Sequence, residues 1–472
     1  MKKLELKFRF YLSIFPLVFL ISLFFYELTG NKNTVLVGFC FCFIYTLISA
    51  IRYSGILSFY SIYLYTSAFF LYDCFFLSLF SDKDFLEQSF PKVYSFDEKI
   101  GIIFLVCSFI TLYVTHLVYL YTRKKKFLII RDREFKKNEN LFKIGLILFC
   151  LFLIPVLYKI FLQISFIMQN GYISIYTGAL SEIKYPFWTA GAFIFFNAGF
   201  YILMASKPKE KEFIILSVIY FCVYFFDSLK GGRGTVLAVL LVLLVYYSKV
   251  YKHKIKFRKL LYAGLFIIAF TIILGNVRNS YGNENKSSSD SSLNVGELVS
   301  NALWSQTNTR AVPMLIIQGD LKYHDYPFIF WPITNLIVPH FYPVQHGATE
   351  LSLEKFNNPS LVLIANVSKE AGLAGFGYDS AFLGEAYEIG GYLGIILFSL
   401  LLGIILCFFD FTDLNFRYIS VPFLFDVLLT IPRLPRKPIL SFICDMNILL
   451  TVYFIIIFFS VFINTLKKRN EL

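Results

Sequence analysis

Long apolar runs dominate this chain and restrict what it can fold into. Its 472 residues are 57% hydrophobic and 19% aromatic but only 16% charged, whereas soluble domains carry about 25% charged residues. A water-soluble core cannot enclose so much apolar surface, so lipid must be the main solvent. The composition therefore predicts an all-α polytopic membrane protein and excludes an ordinary soluble domain.

The apolar runs predict about twelve transmembrane helices, at about 20 residues per crossing. Helices 1–9 fall in residues 1–275, one large outward loop with amphipathic helices in 276–380, and helices 10–12 in 381–472. The third predicted span is Ile56–Phe80, the ninth Leu260–Leu274 and the tenth Ala381–Phe409. The first run lacks a small-residue cleavage site, so we expect a retained helix there.

Basic residues set the predicted orientation. Well over half of the 44 Lys and Arg lie in loops and tails on the side of the N-terminus, most densely at 123–143 and 249–259. Because cytoplasmic loops collect Lys and Arg, we expect both termini to be cytoplasmic, in a bacterial cytoplasmic (inner) membrane. Topology thereby explains the net charge of +13, and nucleic-acid binding is not expected.

Charged residues within the predicted spans all fall in the outer halves of those spans on this topology: Asp73, Lys159, Asp227, Glu385, Glu388 and Asp426. Charge is costly in hydrocarbon, so its depth marks either a polar site or side chains that snorkel to the interface. Taken together, these positions predict a site near the outer leaflet.

The turn from Asp227 to Gly234 carries a Gly-Gly-Arg-Gly sequence between two short predicted spans. Its glycines let the backbone approach a ligand, and Arg233 opens a helix whose N-terminal amides favour an anion. This combination suits a phosphate. The alternative is a plain helix hairpin in which Arg233 snorkels or pairs with Asp227.

Further outward arginines are Arg278, Arg310, Arg433 and Arg436. Guanidinium groups match phosphate oxygens two at a time, so several around one cleft could hold a diphosphate without a metal. The histidines of the large loop are too widely spaced for a zinc site, and the Asp-Lys-Asp at 82–84 is more typical of solvated charge. We expect neither a metal nor a cofactor.

The segment Gly375–Gly394, which contains Glu385-Ala-Tyr followed by glycine-spaced residues, resembles the signature of oligosaccharide repeat unit polymerases, the Wzy-type O-antigen and capsule polymerases. Gly231–Gly234 resembles the outward turn of that family, and Tyr326–Pro343 resembles its proline-bearing loop segment. This chain has His340 where the family would have a basic Arg after the proline.

The resemblance implies a glycosyltransferase C-like fold. It also implies transfer of a growing glycan from undecaprenyl diphosphate onto another lipid-linked repeat unit. The leaving diphosphate needs cations, for which we expect Arg233, Arg278 and Arg310. The attacking hydroxyl needs a base, for which Glu385 comes first and His340 second, although Glu385 could instead be a structural partner of an arginine.

Aromatic residues that could stack on sugar rings, or serve as interfacial anchors, are Trp304, Tyr342 and Tyr378. The glycines of Gly390–Gly394 are expected to pack helices. The expected partners are undecaprenyl-diphosphate-linked oligosaccharide and membrane lipid, with a chain-length regulator as a family expectation.

Two other functions use similar features. An O-antigen ligase would use the same donor with a different acceptor, and only the Glu-Ala-Tyr segment favours a polymerase over it. A flippase for lipid-linked oligosaccharides would need two related halves and charges along a central path. The sequence shows no internal repeat and an outer bias of its charges, both of which disfavour a flippase.

Overall fold

The computed structural model describes residues 2–80, 84–88, 94–124, 137–171, 183–230, 233–251, 309–319, 330, 369–370, 373, 382–411, 421–422, 425–426, 429–437, 440 and 452–458, and nearly all of these are helical. The helices are α1 (Lys2–Thr29), α2 (Lys32–Ser54), α3 (Phe59–Phe70), α4 (Asp73–Phe80), α5 (Glu98–Lys124), α6 (Glu139–Asn170), α7 (Ala192–Ala205), α8 (Glu210–Ser228), α9 (Arg233–Val250), α10 (Ala311–Gln318) and α11 (Phe382–Phe411). Short 3-10 helices cover Phe187–Thr189 and Ile431–Arg436, and β1 (Glu87–Gln88) pairs antiparallel with β2 (Tyr94–Ser95).

The helices have membrane character. Within the described ranges, five are long and apolar enough to cross a membrane, or six if the bent pair α3–α4 forms one span. Helix α6 exposes Ile147, Leu151, Ile154 and Phe161 along one side, at the spacing of a lipid-facing stripe. The total of twelve spans stays a prediction, because the ninth span and most of the large loop lie outside the described residues.

The chain divides into two compact units. Unit 1 comprises Met1–Leu128, Ser288–Phe411 and Ile431–Leu440, and unit 2 comprises Ile129–Ser287, Thr412–Thr430 and Ser441–Leu472. Each unit therefore gathers segments from distant parts of the sequence.

In unit 1, α11 lies directly against α5. A Cβ on Gly403 would lie 2.8 Å from the carbonyl oxygen of Thr115, and Thr115 Oγ1 donates a hydrogen bond of 3.2 Å to the carbonyl oxygen of Ser399. Small residues allow this close approach of two backbones, which is a principal source of helix association in lipid.

The third predicted span, Ile56–Phe80, is not one helix. Helices α3 and α4 meet at an angle of 53°, and the amides of Leu71 and Tyr72 both donate to the carbonyl oxygen of Ser67, at 2.9 and 3.0 Å. Asp73 then begins α4. The sequence did not predict this bend, because hydropathy registers apolar content and not helix direction.

Asp410, at the far end of α11, holds the start of α3. Its carboxylate accepts the amide of Phe59 at 2.6 Å, the amide of Tyr60 at 3.4 Å and the hydroxyl of Tyr119 at 2.6 Å. A carboxylate at a helix N-terminus satisfies amides that lack an intrahelical partner. Phe59 also stacks on Phe409, with ring centroids 5.7 Å apart.

Helix α11 consists of two arms joined at Gly390 and Gly391, whose backbone angles are not helical. The ring of Phe382 lies 6.4 Å from that of Tyr63, one turn from Phe59 on α3. A straight helix would separate Phe382 from Phe409 by about 40 Å, so both cannot contact neighbouring turns of α3. The short arm, Phe382–Ile389, must therefore turn back towards the long arm, Tyr392–Phe411.

We expected the glycines of Gly390–Gly394 to pack helices, but the structure gives them two different roles. A Cβ on Gly390 or Gly391 would meet nothing within 4 Å, and Gly391 has a φ of +54°, so these two residues form the bend rather than a packing surface. A Cβ on Gly394 would lie 1.9 Å from the carbonyl oxygen of Ala386. Gly394 therefore packs against the short arm of its own helix.

In unit 2, the helices α6 to α9 run up and down in sequence order. A Cβ on Gly199 would lie 2.8 Å from the amide nitrogen of Phe149, so α6 and α7 are in backbone contact. The amide of Asn138 donates to the carbonyl oxygen of Ser206 at 3.0 Å, and Tyr247 donates to Glu210 at 2.7 Å. The start of α6, the end of α7, the start of α8 and the end of α9 thus share one end of the unit.

Asp426 does not lie where its predicted span placed it. Its Oδ1 accepts the hydroxyl of Tyr201, near the end of α7, at 2.7 Å, and the neighbouring Phe425 lies 5.5 Å from Tyr246, near the end of α9. Asp426 therefore lies at the end of unit 2 that was predicted to be cytoplasmic, and the expected outer position was wrong.

We predict that Gly394→Ala destabilises the protein by the upper end of the about 1–3 kcal/mol that overpacking costs, because the new methyl group collides with a backbone carbonyl. Gly390→Ala is the matched control, since open space surrounds that position and its φ of −162° is extended backbone. Thermal unfolding of the full chain in detergent measures both. Equal melting temperatures for the two variants would contradict the fold-back of α11.

Candidate functional site

The break between α3 and α4 places a carboxylate inside unit 1. Asp73 is the first residue of α4 and is only 6% exposed. Its Oδ1 accepts the amide of Cys74 at 2.8 Å, and a negative charge is favoured at this end of a helix. The break is thus what brings a charged group into an otherwise apolar segment.

Arg310 immediately precedes α10 and is fully buried, at 0% exposed. Its Nη2 donates to the carbonyl oxygen of Glu87 on β1 at 2.5 Å, and its charge acts on the thiol of Cys74. Arg310 therefore connects the start of α10 with β1 and with the first turn of α4. A buried cation needs such partners because its desolvation costs several kcal/mol.

A second arginine approaches Asp73 from the 3-10 helix Ile431–Arg436. The guanidinium carbon of Arg436 lies 4.7 Å from the ring centroid of Phe70, the last residue of α3. Arg310 and Arg436 are the cations whose charges act on Asp73. The start of α4 therefore lies in the field of two guanidinium groups.

Glu385 lies in the short arm of α11, in its first turn, and is only 1% exposed. The preceding Gly384 packs against α10, since a Cβ there would lie 3.0 Å from Pro313 Cα and 2.8 Å from Ile316 Cδ1. Arg310 and Glu385 thus belong to two helices in direct contact within unit 1.

In unit 2, the turn that carries Arg233 has a different ion pair from the one considered above. Asp227 lies 2.5 Å from Lys230, and Lys230 also donates to Gln163 at 2.7 Å. The carboxylate of Asp227 is therefore matched by Lys230. Arg233 opens α9 as predicted, but its side chain lies outside the described residues, so its anion-binding role stays a prediction.

The comparisons with known proteins decide the family. The family model for O-antigen polysaccharide polymerase Wzy matches residues 9–467, nearly the whole chain. The chain belongs to this family. No curated protein and no solved structure matches it.

Five of the residues predicted from the Wzy-type signature and loop lie outside the described residues: Arg278, Trp304, His340, Tyr342 and Tyr378. Of the eight predicted site residues, Arg310 and Glu385 have described side chains, and both are buried in unit 1.

Sequence reasoning on this Wzy chain noted Asp73 and Arg436 only as members of larger sets and did not assign them to the site. The usable signal for Asp73 was a charge within an apolar run, where charge is rarely tolerated without a function or a partner. Nothing in the sequence showed that Arg436 lies next to the end of α3, because that contact joins residues more than 350 positions apart.

Asp73, Arg310 and Glu385 are buried in unit 1 and Arg436 is partly exposed; together, these residues are suited to transfer chemistry on an anionic substrate. Guanidinium groups bind phosphate oxygens through paired hydrogen bonds, and a buried carboxylate can accept a proton from a hydroxyl. In a site shielded from water, each of these interactions is stronger than at the surface.

We predict that Gly384→Val lowers both thermal stability and polymer yield of this Wzy protein, because the larger side chain separates α10 from α11 and moves Glu385 relative to Arg310. Adding Ile316→Ala creates space at the same seam, so the double variant is expected to recover part of both losses. Thermal unfolding and polysaccharide gels provide the readouts. Additive losses in the double variant would argue against direct packing of the two helices.

Proposed function

We propose that this chain joins undecaprenyl-diphosphate-linked oligosaccharide repeat units into O-antigen or capsular polysaccharide, at the outer leaflet of the bacterial cytoplasmic membrane. The observation that carries the proposal is the match of the Wzy family model over residues 9–467. The arginines and carboxylates of unit 1 support it, because a lipid diphosphate is an anionic leaving group that needs fixed cations.

The reaction is a glycosyl transfer. A hydroxyl at the non-reducing end of one lipid-linked repeat unit attacks the anomeric carbon of the donor glycan. The bond from that carbon to the diphosphate oxygen breaks, and its electron pair leaves with the undecaprenyl diphosphate. Arg310 stabilises the developing charge, together with Arg233 and Arg278. Glu385 is our first choice for the base that takes the hydroxyl proton, and His340 the second.

The depth of Glu385 supports an outer-leaflet reaction. The long arm of α11 is about 30 Å long, which matches the hydrocarbon layer. If its bend at Gly390–Gly391 faces outward, as the positive-inside rule predicts, Glu385 lies within about 8 Å of the outer boundary. That depth is within reach of a diphosphate headgroup.

The remaining roles follow from the same proposal. Trp304, Tyr342 and Tyr378 would stack on sugar rings of the two glycans. Membrane lipid surrounds the multi-pass chain, whose two termini we place in the cytoplasm. A chain-length regulator is the further protein partner that we propose.

We predict that Arg310→Lys and Glu385→Gln abolish polymer formation at expression equal to wild type. Lysine keeps the charge but loses the planar fork, and glutamine cannot accept a proton. The measurement is complementation of a strain lacking this gene, with surface polysaccharide run on a gel. Glu212→Gln, which alters an ion pair with Lys137 in unit 2, is the control and should restore the full ladder.

The same gel distinguishes a polymerase from a flippase or a ligase. Glycan capped with a single repeat unit in the deletion strain supports a polymerase. Loss of all surface glycan would instead indicate a flippase or a ligase. Full ladders from both site variants would remove Arg310 and Glu385 from the site while leaving the family assignment intact.

We also predict that transfer needs no metal ion, since arginines supply the positive charge at the leaving group. Purified protein in lipid nanodiscs should polymerise lipid-linked repeat units at the same rate with and without an excess of EDTA. A rate that falls with EDTA and returns with added Mg²⁺ or Mn²⁺ would show that the arginines do not suffice.

A further inference from the structure

Asp73 carries a buried oxygen without a hydrogen-bond partner. Its Oδ1 accepts the amide of Cys74, but its Oδ2 has no hydrogen-bond partner among the described residues. No lysine or arginine nitrogen in the described ranges lies within 4.0 Å of this carboxylate. Asp73 thus faces Arg310 and Arg436 without forming an ion pair with either.

The other carboxylate that meets the start of a helix in unit 1 is fully used. Asp410 accepts hydrogen bonds on both oxygens, from two amides of α3 and from Tyr119. Asp73 meets the start of α4 and leaves one oxygen unused, although it is more deeply buried than Asp410. A structural role of the kind that Asp410 has therefore does not account for Asp73 Oδ2.

A second polar atom beside the cluster is also unmatched. Thr309, next to Arg310, is only 1% exposed, and its Oγ1 has no hydrogen-bond partner within the described part of the chain. Buried polar atoms in native proteins are nearly always satisfied, and a bound ligand is one way in which such an exception is resolved. A ligand suited to this place offers hydrogen-bond donors to Asp73 and anionic oxygens that the arginines can bind.

We propose that Asp73 contacts the substrate, with Oδ2 accepting a hydrogen bond from a hydroxyl of the sugar whose diphosphate is bound by Arg310 and Arg436. This inference rests on the proposed function and names the part of the lipid-linked substrate that unit 1 recognises. A sugar diphosphate carries both chemistries side by side: hydroxyl donors on the ring and anionic oxygens on the phosphates. It also assigns Arg436, which the sequence left among the loop charges, to diphosphate binding.

The charge of Asp73 predicts opposite changes in affinity for two lipids, one without a sugar and one with a sugar. A carboxylate near two arginines weakens their attraction for phosphate, because it offsets part of their field. Removing its charge should therefore strengthen binding of a bare lipid diphosphate. The same change should weaken binding of a ligand whose sugar hydroxyl depends on the carboxylate, since hydrogen bonds to charged groups are roughly twice as strong as neutral ones.

The experiment compares two probes that differ only in the sugar: undecaprenyl diphosphate, and undecaprenyl diphosphate carrying the repeat unit, extracted from a strain that lacks this gene. Dissociation constants are measured by titration of the full chain in nanodiscs. For Asp73→Asn we expect about tenfold weaker binding of the sugar-bearing lipid, with equal or tighter binding of undecaprenyl diphosphate.

Three further variants serve as comparisons for Asp73→Asn. Arg436→Met should weaken binding of both lipids, because it removes a diphosphate ligand. Asp73→Glu keeps the charge and should recover part of the affinity for the sugar-bearing lipid. Glu212→Gln should bind both lipids as wild type does. Thermal unfolding of each variant, compared with wild type, identifies any that are misfolded.

Parallel weakening of both lipids by Asp73→Asn in a folded protein would overturn the inference and make Asp73 a residue that only positions the arginines. Unchanged binding of both lipids would overturn it as well. Turnover by the wild-type protein is scored separately. A wild type that binds both lipids with the expected pattern but forms no polymer would refute the proposed function and leave the binding inference supported.

Discussion

The approach of Gly394 to the backbone of Ala386 is the constraint on which unit 1 depends. Any side chain at residue 394 would overlap the carbonyl oxygen of Ala386, so the two arms of α11 lie together only because Gly394 has none. Gly391 supplies the left-handed φ of +54° at the bend, which costs little for glycine alone. The short arm then presents Gly384 to α10 and buries Glu385 beside it.

In unit 1, charged residues lie close to interruptions in the helices. A continuous transmembrane helix satisfies all of its backbone groups internally and has no polar terminus within the lipid. The turn after α3 and the bend in α11 create such termini. Helix α3 is about 18 Å long, so the start of α4 is separated by about that distance from the end of α3 that Asp410 holds. Asp73 and Glu385 therefore both lie nearer the bend of α11 than Asp410.

Much of this fold was predictable because lipid imposes a simple rule on the sequence. Runs of about 20 apolar residues located α2, α5 and α6 without reference to packing. The break after Phe70 was not predictable, since Leu71 and Tyr72 are as apolar as their neighbours and neither is glycine or proline. The depth of Asp426 was misjudged because the contact that fixes it, with Tyr201, joins residues 225 positions apart.

The residue types of the candidate site were predictable from the sequence, but the full set of residues that form it was not. Arg310 and Glu385 were identified from charge and motif, and both are buried in unit 1. Their roles remain predictions. Arg436 was noted only as one of several outward arginines, because a proline-rich loop arginine has the same sequence appearance whether it contacts solvent or the ring of Phe70.

The buried carboxylates of the two units have different neighbours, and the two arginines near Asp73 favour unit 1 for the chemistry. In unit 2, Asp227 is paired with Lys230, and Asp426 accepts the hydroxyl of Tyr201. Glu212 is likewise bound by Lys137. In unit 1, Asp73 keeps an unmatched oxygen in the field of two arginines. An apolar interior retains such an imbalance only at a cost, and a ligand that brings both hydroxyls and phosphates would remove it.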